Sequence, residues 1–442
     1  MGPLLLGNFG AAMLLRVPIG FALAIASLLT LWLVTDTPLA IGAQRIVAGI
    51  TPFALLAIPL FILAGGIMNA GGITKRLLNL ADSIVGGMRG GLAQTNVLSA
   101  LFFGGISGSA VADISSLGRI LIPAMKARDY KAAYSAAVTA AAPIVAPIMP
   151  PSITMIVYGV VSGTSIGQLF FAGIVPAILY IAMVMVTVHL TVRKQGFTDE
   201  LQANTANLDL IGKTPPAERP PFWKSLWGAT PALLLPLLIL GGIRFGWFTA
   251  TEASAVAVVY ALLVGIFIYR ELTLKKLISS LAESSLMVGL IMLVLAAAQL
   301  YSWALTSGGV PQAAADAIFA FSDNLIVLLI LVNILLLIAG MFIEANAALI
   351  IITPILYPVL TELGVDPVHL GIIIVVNLGI GLITPPVGIA LMLSSEIAKV
   401  KFVSAIRASW PFLLCGLIYM ILITYIPQIS LWLPSLLSVS AE

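Results

Sequence analysis

The chain is poor in charge: Asp, Glu, Lys and Arg supply 9% of its 442 residues, against roughly 25% in ordinary soluble domains. With 60% of the residues hydrophobic, too little polar surface remains to keep a folded chain in water. Cysteine is almost absent. The single Cys415 lies inside the apolar stretch Trp410 to Ile426, which excludes a disulfide framework or a cysteine metal site and reads as a small buried hydrophobe. His189 and His369 are the only histidines and lie far apart, with no His-Glu-x-x-His spacing to hold zinc, so a metal hydrolase is excluded. Gly212-Lys213-Thr214 resembles the end of a phosphate loop, but Asn207 stands where the leading glycine belongs; a nucleotide does not drive this chain directly. The net charge of +3 is too small and dispersed for a nucleic-acid surface. Nor does the chain open on a short apolar core with a small-residue cleavage site. Leu4 onward runs into Arg16, Pro18 and another long apolar stretch, a membrane helix rather than a secretory signal.

What the sequence does have is long apolar runs. A bilayer core of ~30 Å demands about 20 apolar residues per helical crossing, and Pro231 to Gly242, Ala253 to Tyr269 and Ser285 to Ala304 are examples of such material. The chain is therefore an all-α polytopic protein embedded in a lipid bilayer. One long polar segment, residues 193–224 with Lys194, Lys213, Arg219 and Pro215-Pro216, divides it into a first half, 1–192, and a second, 225–442. Sliding the second half back by about 235 residues lays Pro385-Pro386 on Pro150-Pro151 and Pro358 on Pro123. An offset of about 237 lays Gly308-Gly309-Val310 on Gly71-Gly72-Ile73 and Asn333 on Asn96, so one short indel separates the two registers. Matches in the same order, each at a break or turn, point to an internal duplication.

Loop charge gives the orientation of the two copies, because short cytoplasmic loops accumulate Lys and Arg. Lys75, Arg76 and Arg89 follow Gly71, whereas Asp316 and Asp323 follow Gly308; the first segment faces the cytoplasm and the second the outside. Segment 92–125 ends at Lys126, Arg128 and Lys131, and segment 324–360 ends at Glu362 and Asp366. Each is too short for two full crossings and returns to its starting side. The expectation is a re-entrant helical hairpin in each half, with tips near Gly104 to Asp113 and Gly340 to Asn346, inserted from opposite faces. After each hairpin comes a proline-broken helix: 133–162, broken at Pro150-Pro151-Ser152, and 370–398, broken at Thr384-Pro385-Pro386. Proline removes a backbone donor and clashes with the preceding turn. A bilayer tolerates the freed carbonyls only where they are buried in protein or line a polar cavity. Lys399, Lys401 and Arg407 put the end of the second broken helix, like the linker, in the cytoplasm.

Hairpins and broken helices together are a transport architecture, in which half-helix N-termini attract an anion and unwound carbonyls coordinate a cation. At the first tip stand Ser107, Gly108, Ser109 and Asp113; at the second, Glu344 and Asn346; at the breaks, Pro150, Pro151 and Ser152, then Thr384, Pro385, Pro386 and Gly388. An intramembrane carboxylate is a functional candidate by default. The plainer alternatives are small-residue helix packing for the two serines, a cap or an Arg119 ion pair for Asp113, and a hydrogen-bonded pair for Glu344 and Asn346. Oxygen donors of this kind suit a hard monovalent cation and no transition metal. The expected arrangement is two sodium sites drawing on the tips and on the breaks at Pro150-Pro151 and Pro385-Pro386: one on Ser107, Gly108 and Ser109 with the backbone near Glu344 to Asn346 or the opposed break, with Asp113 holding the hairpin or tuning the site, and the other on the second tip with Thr384, Pro385, Pro386 and Gly388; which tip pairs with which break is open. A small organic anion would lie between them, near Ser109, Ser152 and Ser165. No cofactor is expected beyond sodium as coupling ion, and no enzymatic chemistry.

At these residues the chain closely resembles the large membrane subunit of the tripartite ATP-independent periplasmic (TRAP) transporters. The likeness spans nearly the whole chain: Leu56 to Phe61, Gly104 to Asp113, Ile122 to Met125, Pro150-Pro151-Ser152, Ser165 to Phe170, Thr251-Glu252-Ala253 and Thr384 to Gly388. The resemblance implies a sodium-coupled, elevator-type importer in a bacterial or archaeal inner membrane. It implies a periplasmic substrate-binding protein that delivers the cargo and a small four-helix membrane subunit, here expected as a separate chain. Ala250 departs from the family's usual proline, and Arg128-Asp129-Tyr130 replaces a Gly-Tyr pair; both lie outside the tips. The competing expectations are a stand-alone ion-coupled anion carrier, a sodium/proton antiporter, and a membrane-embedded enzyme.

Overall fold

A computed structural model describes residues 1–15, 17–35, 38–195, 220–313, 316 and 324–437. The described residues form helices and connecting turns, with no strand among them. Among the described residues, eight helices are long and apolar enough to cross a membrane, and their outward faces carry large apolar side chains such as Leu237, Leu286, Leu290 and Ile334, as a lipid-facing surface requires.

In the first half, α1 (Gly2–Leu14), α2 (Ile19–Val34) and α3 (Leu39–Ala48) precede α4 (Ala57–Ala70). Helix α1 packs on α2, with Asn8 Nδ2 donating to Thr30 Oγ1 at 3.1 Å. The amphipathic α5 (Ile73–Val85) leads to α6 (Gly91–Ser107) and α7 (Ala110–Lys126), which pack on each other across a turn at Gly108-Ser109. Next come α8 (Ala132–Ala141), α9 (Ile153–Ser162) and α10 (Ile166–Gln195).

The second half runs α11 (Phe222–Arg244), α12 (Ala250–Leu263), α13 (Leu274–Ser307), α14 (Leu325–Phe342), α15 (Ala345–Glu362), α16 (Pro367–Gly381), α17 (Ile389–Ala398), α18 (Phe402–Tyr425) and α19 (Gln428–Leu436). Helix ends have readable causes. Thr249 and Glu252 form a reciprocal capping box at the start of α12, which is the local physics of the Thr251-Glu252-Ala253 stretch. Asp366 accepts from the Val368 and His369 amides at 2.8 and 3.1 Å and opens α16. Helix α10 runs on through Gln195 and α11 begins at Phe222, so both ends of segment 193–224 are helical; residues 196–219, with Lys213, Pro215-Pro216 and Arg219, lie outside the described residues, as does Asp323.

The helices sort into two packed groups. Helices α2, α3, α4 and α12 lean on α13, on one another, or on α11. Helices α6 to α10 pack with α14 to α19 around a core that includes Tyr134, Tyr180, Phe412 and Tyr419. Between the groups runs α5, in contact with both α11 and α6. The 34-residue α13 fixes the relation between charged loops. Its start adjoins Glu271, which pairs with Arg76 at 2.8 Å, whereas its end at Gly308 lies beside Gly2 and Met1. The segments that follow Gly71 and Gly308 thus sit at opposite ends of one long helix. Lys126 Nζ donates to the Ala398 carbonyl at 3.3 Å, joining two ends that the positive-inside rule places together.

Candidate functional site at the hairpin tips and helix breaks

The turn between α6 and α7 is built by Gly108, whose φ of 59° is a left-handed conformation that an L side chain resists. It also leaves no room for a side chain. A methyl group there would come within 3.0 Å of the Pro151 carbonyl oxygen and 3.1 Å of the Ile153 nitrogen. Hairpin tip and helix break of the same half are therefore in direct backbone contact, and Gly104 approaches Ala146 in the same way. On one side of this contact Ser109 caps α7, its Oγ accepting from the Ala112 amide at 3.4 Å. On the other, Ser152 caps α9, accepting from the Met155 amide at 3.3 Å while donating to the Pro147 carbonyl at 2.5 Å. Two half-helix N-termini, each with positive partial charge, thus meet at one place.

The second tip turns at Ile343 and Glu344, and it rests on the second break: a methyl group on Gly340 would lie 2.9 Å from the Leu378 carbonyl oxygen and 3.1 Å from the Gly381 Cα. The breaks themselves are wider than the proline pairs suggest. Helix α8 ends at Ala141 and a 3-10 turn, Ala142–Val145, follows before the Pro150-Pro151 pair; α16 ends at Gly381, three residues ahead of Thr384. Pro143 and Pro147 remove further donors from the first break. Both proline pairs have a cis peptide bond, Pro150-Pro151 and Pro385-Pro386. Thr384 Oγ1 donates to the Ile380 carbonyl at 2.8 Å, and Gly388 opens α17 with φ 54° and no side-chain cap.

Asp113 sits one turn into α7 with 1% of its surface exposed. Nearby, Ser107 Oγ accepts from the Ser109 amide at 3.2 Å, and Asp113 Oδ2 has no partner. The Arg119 ion pair considered for Asp113 does not form; Arg76–Glu271 is the only salt bridge among the described residues. Glu344 and Asn346 do form their hydrogen-bonded pair. Glu344 Oε1 accepts from Asn346 Nδ2 at 2.9 Å, and Oε2 from the Asn346 and Ala347 amides at 3.0 and 3.2 Å. Asn346 Oδ1 is buried without a partner.

Ser165 caps α10, its Oγ accepting from the Gln168 amide at 3.4 Å. Sequence reasoning also missed a polar layer behind the tips. Asn96 Nδ2 donates to Thr139 Oγ1 at 2.7 Å, joining α6 to α8. Asn333 Oδ1 accepts from Asn377 Nδ2 at 2.8 Å and Thr424 Oγ1 at 3.2 Å, joining α14 to α16 and α18. The signal that could have found it was the matching of Asn96 to Asn333 in the repeat, two amides inside apolar helices.

Residues 6–429 match the family described as "Tripartite ATP-independent periplasmic transporter, DctM component". The chain belongs to this family. It is the large permease subunit of a TRAP transporter, a multi-pass inner-membrane protein and not an enzyme. It is 39% identical over 420 residues to the sialic acid TRAP transporter large permease protein SiaM of Vibrio cholerae, covering 95% of each chain. It is 38% identical over 388 residues to the C4-dicarboxylate TRAP transporter large permease protein DctM of Pseudomonas aeruginosa, covering 88% of each. Among solved structures, the YdaH transporter of Alcanivorax borkumensis shares the fold, with a TM-score of 0.61 at 16% identity over 93% of this chain and 97% of that one.

Proposed function

We propose that this TRAP permease imports a small organic anion, a carboxylate, in symport with sodium. The observation that carries the reading is the meeting of two capped helix N-termini, at Ser109 and Ser152, beside a buried carboxyl oxygen of Asp113 that lacks a partner. The N-termini favour an anion. Orphaned acceptor oxygens at both tips, Asp113 Oδ2 and Asn346 Oδ1, favour a cation, since leaving them unpaired in a bilayer is costly. The cargo carboxylate would lie near Ser109 and Ser152, with sodium sites at tip and break of the same half: Ser107, Gly108, Ser109 and Asp113 with Pro150 and Pro151, and Glu344 and Asn346 with Thr384, Pro385, Pro386 and Gly388. The relatives' cargoes, sialic acid and C4-dicarboxylates, are acids, in keeping with a carboxylate.

The two halves would be inverted repeats, in line with loop charge and with the placement of the Gly71 and Gly308 segments at opposite ends of α13. The group containing both tips and both breaks would slide as an elevator against the group around α13. Cargo would be handed over by a periplasmic substrate-binding protein, and a small four-helix membrane subunit would accompany the scaffold. The test is reconstitution of the permease with its small subunit in proteoliposomes, with and without the binding protein of the same transporter. Uptake only with the binding protein supports this reading; equal uptake without it would make the chain a stand-alone carrier.

A further inference from the structure

Helix α5, which packs on both groups, is fastened at its start and glycine-rich at its other end. At its start, Arg76 makes three contacts at once: Nη1 donates to the Gly72 carbonyl at 2.7 Å, the guanidinium pairs with Glu271 at 2.8 Å, and its carbon lies 3.9 Å from the centroid of the Tyr269 ring. Tyr269 is itself tied down, its hydroxyl donating to the Gly228 carbonyl on α11 at 2.9 Å. Just before α5, Gly71 lies against the helical segment Val264–Ile268 that continues α12, where a methyl group would come within 3.2 Å of the Gly265 Cα. Thr74 Oγ1 and Asn69 Oδ1 add a side-chain bond across the α4–α5 corner. One exposed ion pair holds little, but a planar guanidinium engaged by a carboxylate, a carbonyl and an aromatic face has one geometry that satisfies all three. The α4–α5 corner is thereby bound to α11 and to the segment and turn that follow α12.

The other end of α5 is different. Between Val85 and Leu92 the sequence is Gly86-Gly87-Met88-Arg89-Gly90-Gly91, four glycines in six residues, and Gly90 already belongs to the opposite group, packed on Val188 and Val192 of α10. Backbone freedom is greatest where Cβ atoms are missing, and hinges are a few element-terminal residues that absorb the φ and ψ change. Thr95 Oγ1 donates to Asp82 Oδ1 at 3.1 Å across this corner, a bond that bending there would break.

We propose that α5 belongs mechanically to the static group, that Arg76 pins it there through Tyr269 and Glu271, and that the moving group bends away at Gly86 to Arg89. The inference rests on the elevator reading above, and the experiment separates the two. Spin labels are placed in pairs on the full chain in lipid nanodiscs, in a Cys415→Ala background, at Ile84→Cys on α5, Lys275→Cys on α13 and Lys401→Cys before α18, all exposed positions. Distance distributions are measured by pulsed electron resonance in sodium chloride and in potassium chloride. The elevator requires two populations for the 275–401 pair. The pinned arm then requires one narrow 84–275 distance and two 84–401 distances, with the 84–275 distribution broadened by Arg76→Gln. Two 84–275 distances with a single 84–401 distance would overturn the pin and put the bend at Gly71-Gly72. A single 275–401 distance under both conditions would remove the elevator, and the hinge with it.

Discussion

Ser109 and Glu344 hold the same position in their respective hairpins: each caps the return helix, taking the amide three residues on, Ala112 at 3.4 Å and Ala347 at 3.2 Å. They are also related by the offset that lays one proline pair on the other. The structural job is shared but the chemistry is not, because one cap is a hydroxyl and the other a carboxylate. Helix breaks show the reverse contrast, with the Ser152 hydroxyl at the first and the bare backbone of Gly388 at the second. Both caps at the first tip and break are therefore hydroxyls, which offer an anion no capping carboxylate; Asp113 lies one turn further into α7.

Replacing Glu344 by Ala strands the Asn346 and Ala347 amides and the Asn346 side chain. Loss of a cap costs about 1 kcal/mol, up to about 2, so the purified variant should melt several degrees lower in a fluorescence thermal-shift assay. Ser109→Ala should melt nearly as the parent, since its bond to Ala112 is long, but should import cargo more slowly at limiting external concentration. Equal melting losses with unchanged uptake would show that both residues are caps and nothing more.

The polar layer behind the tips gives a second expectation. Asn333→Leu leaves Thr424 Oγ1 without its acceptor and removes one of the two bonds of Asn377 Nδ2. An unsatisfied buried group costs about 1–3 kcal/mol, and the double variant Asn333→Leu/Asn377→Leu should recover part of that loss. Thermal unfolding of both single variants, Asn333→Leu and Asn377→Leu, and of the double in the same detergent checks this; a double variant that loses the sum of the single effects would mean the residues are not coupled.

Orientation can be read with single cysteines in a Cys415→Ala background. Labels at Lys75 and Lys126 should react with an impermeant maleimide only after the membrane is opened from the cytoplasmic side, whereas labels at Asp316 and Asp366 should react from the periplasm. Positions 75 and 316 accessible from one side would remove the inverted arrangement of the halves.

Much of this site is written locally. Glycine at 108 and the proline pairs at 150, 151, 385 and 386 mark by backbone sterics that the helices are interrupted there, though α8 and α16 end earlier, at Ala141 and Gly381. Loop charge is equally local, and it pairs Lys126 with the end of α17 as the Ala398 contact does. What the sequence conceals is long-range. That the first tip rests on the first break follows from the packing of Gly108 on Pro151 and Ile153, which no spacing encodes.

Initial uptake rate against external sodium, in proteoliposomes holding the permease and its partners, tests the coupling scheme most directly. Asp113→Asn and Thr384→Ala should weaken the sodium dependence at least tenfold, about 1.4 kcal/mol of lost cation binding, or abolish uptake, and a proton gradient should not substitute for sodium. Uptake driven equally well by protons in sodium-free buffer, or sodium dependence unchanged in both variants, would contradict the account.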